Sequence, residues 1–173
     1  MRNALFSLLA LGTFAAVVAT YPLSTTAQQQ PTEEEKRPAD LDPQPFNPQL
    51  SALMNMIIQP RHAKLGLAAK EENWALAGYY FKELKLGFAV VGRAVPRWKG
   101  LPVPDLIDAA VTPHFAVLDF AIKAGEPHQF AEAYGKVTQG CNNCHTTMEH
   151  PFVVIKAPDA STWSNQDFKP ASR

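Results

Sequence analysis

Between Gln49 and His145 the apolar residues recur at steps of three and four, and prolines cut the pattern into segments. A period near 3.6 places each set on one face of a helix. Only the brief Phe152 to Ile155 could be read as a strand. Such a chain has to bury its surface by packing helix on helix. The first segment, Gln49 to Ala69, carries Leu50, Leu53, Met54, Ile57, Ile58, Leu65 and Leu67 on its apolar side. Pro60 lies inside it. A proline removes one helical hydrogen bond and clashes with the preceding turn, so a kink near Gln59 or two abutting helices are expected.

Asn73 is a suitable cap for a second helix, striped by Trp74, Ala77, Phe81, Leu84, Phe88, Val91 and Val95 and ended by Pro96. Pro96 to Pro104, with Gly100 within it, reads as a loop. Leu106, Ile107, Ala110 and Val111 then begin a third helix, reset by a Thr112 cap and a first-turn Pro113 and continued by Phe115, Leu118, Ala121 and Ile122. Gly125 closes it. Pro127 opens a fourth helix, whose face carries Phe130, Ala133, Tyr134, Val137, Cys141 and His145. Four helices, short connections and one core predict an all-α, up-and-down four-helix bundle in the domain 49–173, followed by an irregular C-terminal tail.

The segments before that domain have other duties. Met1 to Ala27 has the make-up of an export leader: Arg2, an apolar run from Ala4 to Ala19, and the small residues Thr25, Thr26 and Ala27 before Gln28. The run is short against the ~20 residues that span a bilayer, which favours cleavage over an anchor and implies a periplasmic protein with no stable membrane span. Gln28 to Pro48 holds five prolines and the acidic run Glu33 to Glu35, with Leu41 and Phe46 as its main apolar residues. It cannot bury enough surface to offset its ordering entropy and is read as a flexible linker. Lys and Arg number 16 against 16 Asp and Glu. A balance this even creates no field for a polyanion, so nucleic acid is excluded as a partner.

Cys141 and Cys144 are the only cysteines, too few for a disulfide scaffold, and stand together in Cys141-Asn142-Asn143-Cys144-His145. Cys-x-x-Cys-His is the attachment sequence for c-type haem: two thioethers to the vinyl groups and an adjacent imidazole on iron. On a helix Cys141 and His145 share a face and Cys144 is rotated toward the neighbouring side, so one helix can reach one planar ring three times. A redox-active dithiol would need its first cysteine at a helix start after a strand. Zinc would need a second pair of ligands. One covalently attached haem c, held by Cys141, Cys144 and His145, is therefore the expected cofactor.

The late position of this motif, with only a short tail after His145, resembles the cytochrome c prime-like bundles, in which the haem lies inside four helices against the last one. A wider resemblance runs through most of the domain. The blocks Met54 to Leu65, Asn73 to Ala77, Glu83 to Lys85, Cys141 to His145, Val154 to Pro158 and Asn165 to Phe168 look like a largely uncharacterised family of exported bacterial c-type cytochromes. The resemblance implies haem binding and electron transfer and supplies no redox partner.

The sixth iron position separates the mechanisms. If neighbouring helices run antiparallel, the haem lies level with the first half of the first helix. There Met54, Ile58 and His62 follow at four-residue steps, with Met56 beside them. Met54 or Met56 is the candidate second axial ligand and His62 a weaker one; a thioether or imidazole there would close the site for one-electron exchange. Arg61 and Lys64 are candidates for pairing with the haem propionates, since cations form charge-assisted bonds to carboxylates. Trp74 could stack at the haem edge or serve as core. Lys82, Lys85, Arg93, Arg97 and Lys99 could steer an acidic partner or simply be solvated.

The leading expectation is a monohaem electron carrier, not an enzyme, working between periplasmic redox proteins, with pairing into a homodimer left open. The alternative is a gas-binding or sensing protein, for nitric oxide or carbon monoxide, with an open sixth site. A peroxidase would need His62 and Arg61 as a distal acid/base pair.

Overall fold

The computed structural model describes residues 47–171. The leader 1–27 and all but the last two residues of the linker 28–48 lie outside the described residues. What is described is mostly helical: α1 (Leu50–Leu53), a π-helical turn (Met54–Ile58), α2 (Gln59–Lys70), α3 (Trp74–Ala94), α4 (Val103–Ala110), α5 (Thr112–Ala124) and α6 (Pro127–Thr147). Among the described residues no helix is long and apolar enough to cross a membrane.

Pro60 neither breaks nor separates the first segment. The Gln59 N–H reaches back five residues to the Met54 carbonyl, and the backbone stays right-handed helical from Leu53 through Gln59. A wider turn just ahead of the proline takes up the missing donor and the ring clash. α2 then ends at Glu72, a non-glycine residue at φ 53°. The Asn73 N–H donates to the Ala68 carbonyl at 2.9 Å and the Glu72 N–H to Ala69 at 3.0 Å, the paired bonds of a left-handed helix stop. Asn73 caps α3 as expected, its side-chain oxygen accepting from the Leu76 N–H at 3.2 Å.

Two expectations need correction. The run Pro96 to Pro104 is not simply a loop: β1 (Arg97–Trp98) and β2 (Leu101–Pro102) pair antiparallel around Lys99 and Gly100. Both turn residues have positive φ, 47° and 83°, the backbone that matches the right-handed twist of a tight hairpin. Thr112 is not a cap. It is the first residue of α5, and its hydroxyl donates to the Asp108 carboxylate one turn back. Val111 makes the bend that divides the third helix into α4 and α5.

The core runs through all the long helices. Leu53, Leu65, Phe81, Leu84, Leu118 and Val137 are almost wholly buried. α2 packs along α3 and α5 along α6, while α3 meets α5 through the edge of Phe81 on Phe115. α4 approaches α6 very closely at Gly140, where an added Cβ would lie 2.1 Å from the Ala110 carbonyl oxygen. The C-terminal tail folds back over α2 and α3. Lys70 donates to the Asp159 carbonyl, and the Asn73 amide donates to the carbonyls of Phe168 and Lys169.

Candidate cofactor site

Cys141, Cys144 and His145 stand on the last two turns of α6, where one helix fixes their register. All three line a cavity of about 320 Å³. Its other walls come from Met54 and Ile58 of the π-helical turn, His62 of α2, Phe88 of α3, Trp98 of the hairpin, Ile107, Ala110 and Val111 around α4, and Val153 and Ile155 of the tail. The volume falls in the range of small-molecule and cofactor clefts, and a mostly apolar lining with a few convergent polar groups is what such clefts share.

The tail reaches this cavity because α6 stops abruptly. Glu149 takes φ 62°, the His150 N–H donates to the His145 carbonyl at 2.7 Å, and the Glu149 N–H donates to Thr146 at 3.1 Å. This left-handed stop reverses the chain. Residues 150 to 155 then run back beside the helix that carries the cysteines. The His145 Nδ1–H donates to the Val153 carbonyl at 2.7 Å, so Nε2 is the nitrogen that keeps a lone pair. A second contact holds the same strap: the Asn142 amide donates to the Ile155 carbonyl at 2.8 Å and its side-chain oxygen accepts from the Ile155 N–H at 2.7 Å.

Burial pushes the Cys141 thiol up to about 11, with Cys144 adding a coulombic contribution, and burial also raises Cys144. Both sulfurs are free and stay protonated at neutral pH. Neither lies at a helix N-terminus, where backbone N–H groups would favour a thiolate. Among the described residues no three His, Cys, Asp or Glu side chains gather as metal ligands.

The two methionines part company. Met54 is half-buried in the cavity wall, whereas Met56 is 66% exposed and points away from it. His62 lines the cavity but is fully engaged. Its ring stacks on Tyr134 at 4.5 Å. The Thr138 hydroxyl donates to the Tyr134 carbonyl and therefore accepts from His62 Nε2–H at 2.9 Å, while the Tyr134 hydroxyl lies 2.9 Å from Nδ1 and 2.8 Å from the His62 carbonyl. Burial pushes the His62 pKa down to about 4, so the ring is neutral at pH 7.

The propionate candidates lie elsewhere. Arg61 donates to the Ile57 carbonyl at 2.9 Å and faces Glu83 of α3 at 3.8 Å. Lys64 sits over the rings of Tyr80 and Trp163. Neither lines the cavity, because the continuous helix turns their positions toward α3 and the tail. Trp74 packs on Phe130 in the core. Trp98 and His150, whose rings lie 5.6 Å apart, do line the cavity, although the hairpin that places Trp98 was hidden in a Pro- and Gly-rich run and the stop at Glu149 that places His150 has no glycine to announce it.

Compared with protein-family models, with curated proteins and with solved structures, the chain finds no match.

Proposed function

We propose that this chain is an exported monohaem c-type cytochrome that carries one electron between periplasmic redox partners. The observation that carries the reading is the convergence of Cys141, Cys144 and His145 on one apolar cavity, with Nδ1 of His145 already committed to a carbonyl. Cys141 and Cys144 would hold haem c through two thioethers, and His145 Nε2 would bind its iron. Bound there, the haem would supply an iron that gains and loses a single electron. The protonated, partly buried thiols support attachment better than dithiol exchange, which needs a thiolate.

The chain's own residues then do the rest. α6 fixes the spacing of the three attachment positions, and the Val153 carbonyl sets the plane of the imidazole. Ile58, Phe88, Ile107 and Val111 exclude water, which tunes a redox potential through burial. Met54 would be the side chain available as a second iron ligand; His62 would first have to give up Thr138. In this reading the π-interrupted first segment, α3, α5 and α6 are the four rods of an up-and-down bundle, with α4 and the hairpin closing its mouth.

A gas-binding role is the second reading, and one observation favours it. If the half-buried Met54 does not ligate, no other free thioether or imidazole from outside α6 and its strap lines the cavity among the described residues, and the site is left open for a gas. The peroxidase pair has no support, since Arg61 lies outside the cavity and His62 is tied. The test is the visible spectrum of the reduced protein, produced with c-haem maturation, before and after carbon monoxide. A covalently retained haem whose spectrum ignores carbon monoxide supports the carrier. A shifted spectrum moves gas binding ahead, and a chain without covalent haem sinks both readings.

A further inference from the structure

His145 and Val153 make their hydrogen bond at the protein surface, where water competes for both groups. Left to itself, a single exposed bond of this kind contributes little and is readily exchanged. What keeps this one in place is the constraint on the Val153 carbonyl. On one side the Val153 N–H donates to the His150 carbonyl at 3.0 Å, and the His150 N–H donates to His145 itself. On the other side Asn142 grips Ile155 through both its side-chain donor and its acceptor, in a half-buried position. Asn142 and His145 are one helical turn apart on α6, and Ile155 and Val153 are two residues apart on the strap. The clasp therefore sets how far the strap stands from the helix at the level of the imidazole.

We infer that Asn142, one of the two residues between the paired cysteines, is the positioning residue for the axial histidine: its two hydrogen bonds to Ile155 hold the strap so that the Val153 carbonyl orients His145. This deepens the cytochrome reading and rests on it for the word axial. Asn142 does not line the cavity and its side-chain hydrogen bonds go to Ile155, so it acts through the strap. Asn143, its neighbour, is exposed and makes no hydrogen bond to the strap, its carbonyl accepting from Thr147 on the same helix, which makes it the matched control.

The experiment follows solvent exchange of the His145 Nδ1 proton by NMR, in full-length mature protein labelled with ¹⁵N-histidine and carrying whatever haem its maturation installs. Wild type and Asn143→Ala should show a protected Nδ1 proton. Asn142→Ala, with unchanged helicity, should exchange it at least about tenfold faster, as expected when two hydrogen bonds no longer hold the carbonyl. In haem-loaded protein the same variant should move the midpoint potential to more positive values, because a weaker Nδ1–H···O bond makes the imidazole a poorer donor. Asn142→Asp keeps the acceptor for the Ile155 N–H and loses the donor, so it serves if Asn142→Ala loses helicity, and it should exchange at an intermediate rate. Wild-type protection in either helical variant overturns the inference, as does an unprotected proton in wild type. A preparation without covalent haem would refute the cytochrome reading while leaving the exchange comparison intact.

Discussion

Gly140 is the position where the fold leaves least room among the described glycines, and it directly precedes Cys141, the first of the two proposed attachment cysteines. An alanine Cβ there would stand 2.1 Å from the Ala110 carbonyl oxygen and 3.0 Å from its carbon. Restoring an ordinary C···O approach of about 3.3 Å means moving α4 and α6 apart by about 1 Å. Overpacking of that kind costs about 1–3 kcal/mol or more, against which the helix gains about 1 kcal/mol from replacing glycine with alanine. Gly135 lies in the same helix, exposed, with nothing within 4 Å of an added Cβ. Gly135→Ala should therefore collect the propensity gain alone. The expected outcome is a stabilised Gly135→Ala and a destabilised Gly140→Ala, separated by the overpacking cost of about 1–3 kcal/mol, since the propensity gain is common to both, in urea unfolding followed by circular dichroism. The displacement also strikes the cavity wall at Ala110 and Cys141, so, if the proposed haem attachment holds, Gly140→Ala should lower the yield of covalently loaded protein. If Gly140→Ala proves as stable as Gly135→Ala, the close crossing of α4 and α6 is wrong.

Other outcomes follow from single sites. Glu72 holds a left-handed backbone that glycine adopts without strain, so Glu72→Gly should stabilise by about 0.5–1 kcal/mol in the same assay. His62 is neutral when folded, with its pKa near 4 against about 6.5 unfolded. The unfolded chain thus binds more protons between those values. Stability should be full above pH 6.5 and fall by up to about 3 kcal/mol as the pH drops toward 4, and His62→Gln should flatten that slope. In haem-loaded protein, Met54→Ala should turn a spectrum indifferent to carbon monoxide into a responsive one, whereas Met56→Ala, at an exposed position, should change nothing.

The residues that carry the proposed chemistry were legible in the sequence. Cys141, Cys144 and His145 declare themselves by spacing alone, and the helical stripes around Phe81, Leu84, Val137 and Tyr134 are buried as their period requires. Helix periodicity is a local property of the chain, so it can be read locally. Asn73 as a cap and Gly125 as a stop, at φ 68°, belong to the same class. What the periodicity could not supply is which flank of a helix meets which neighbour. Met54 and Met56 are two residues apart and so point to nearly opposite sides of their helix, and packing alone decides that the Met54 side lines the cavity while the Met56 side faces solvent. Arg61 and Lys64 look suited to bind carboxylates until α3 and the tail take them. The orientation of His145 depends on a strap that begins at a left-handed Glu149 and closes on Asn142, contacts between residues eight and thirteen apart with no shared local pattern. Sequence by itself determined the helices and singled out the proposed attachment residues, since both are read from short-range spacing. Only the tertiary structure decided what surrounds them, since packing selects the surroundings from faces that look alike along the chain.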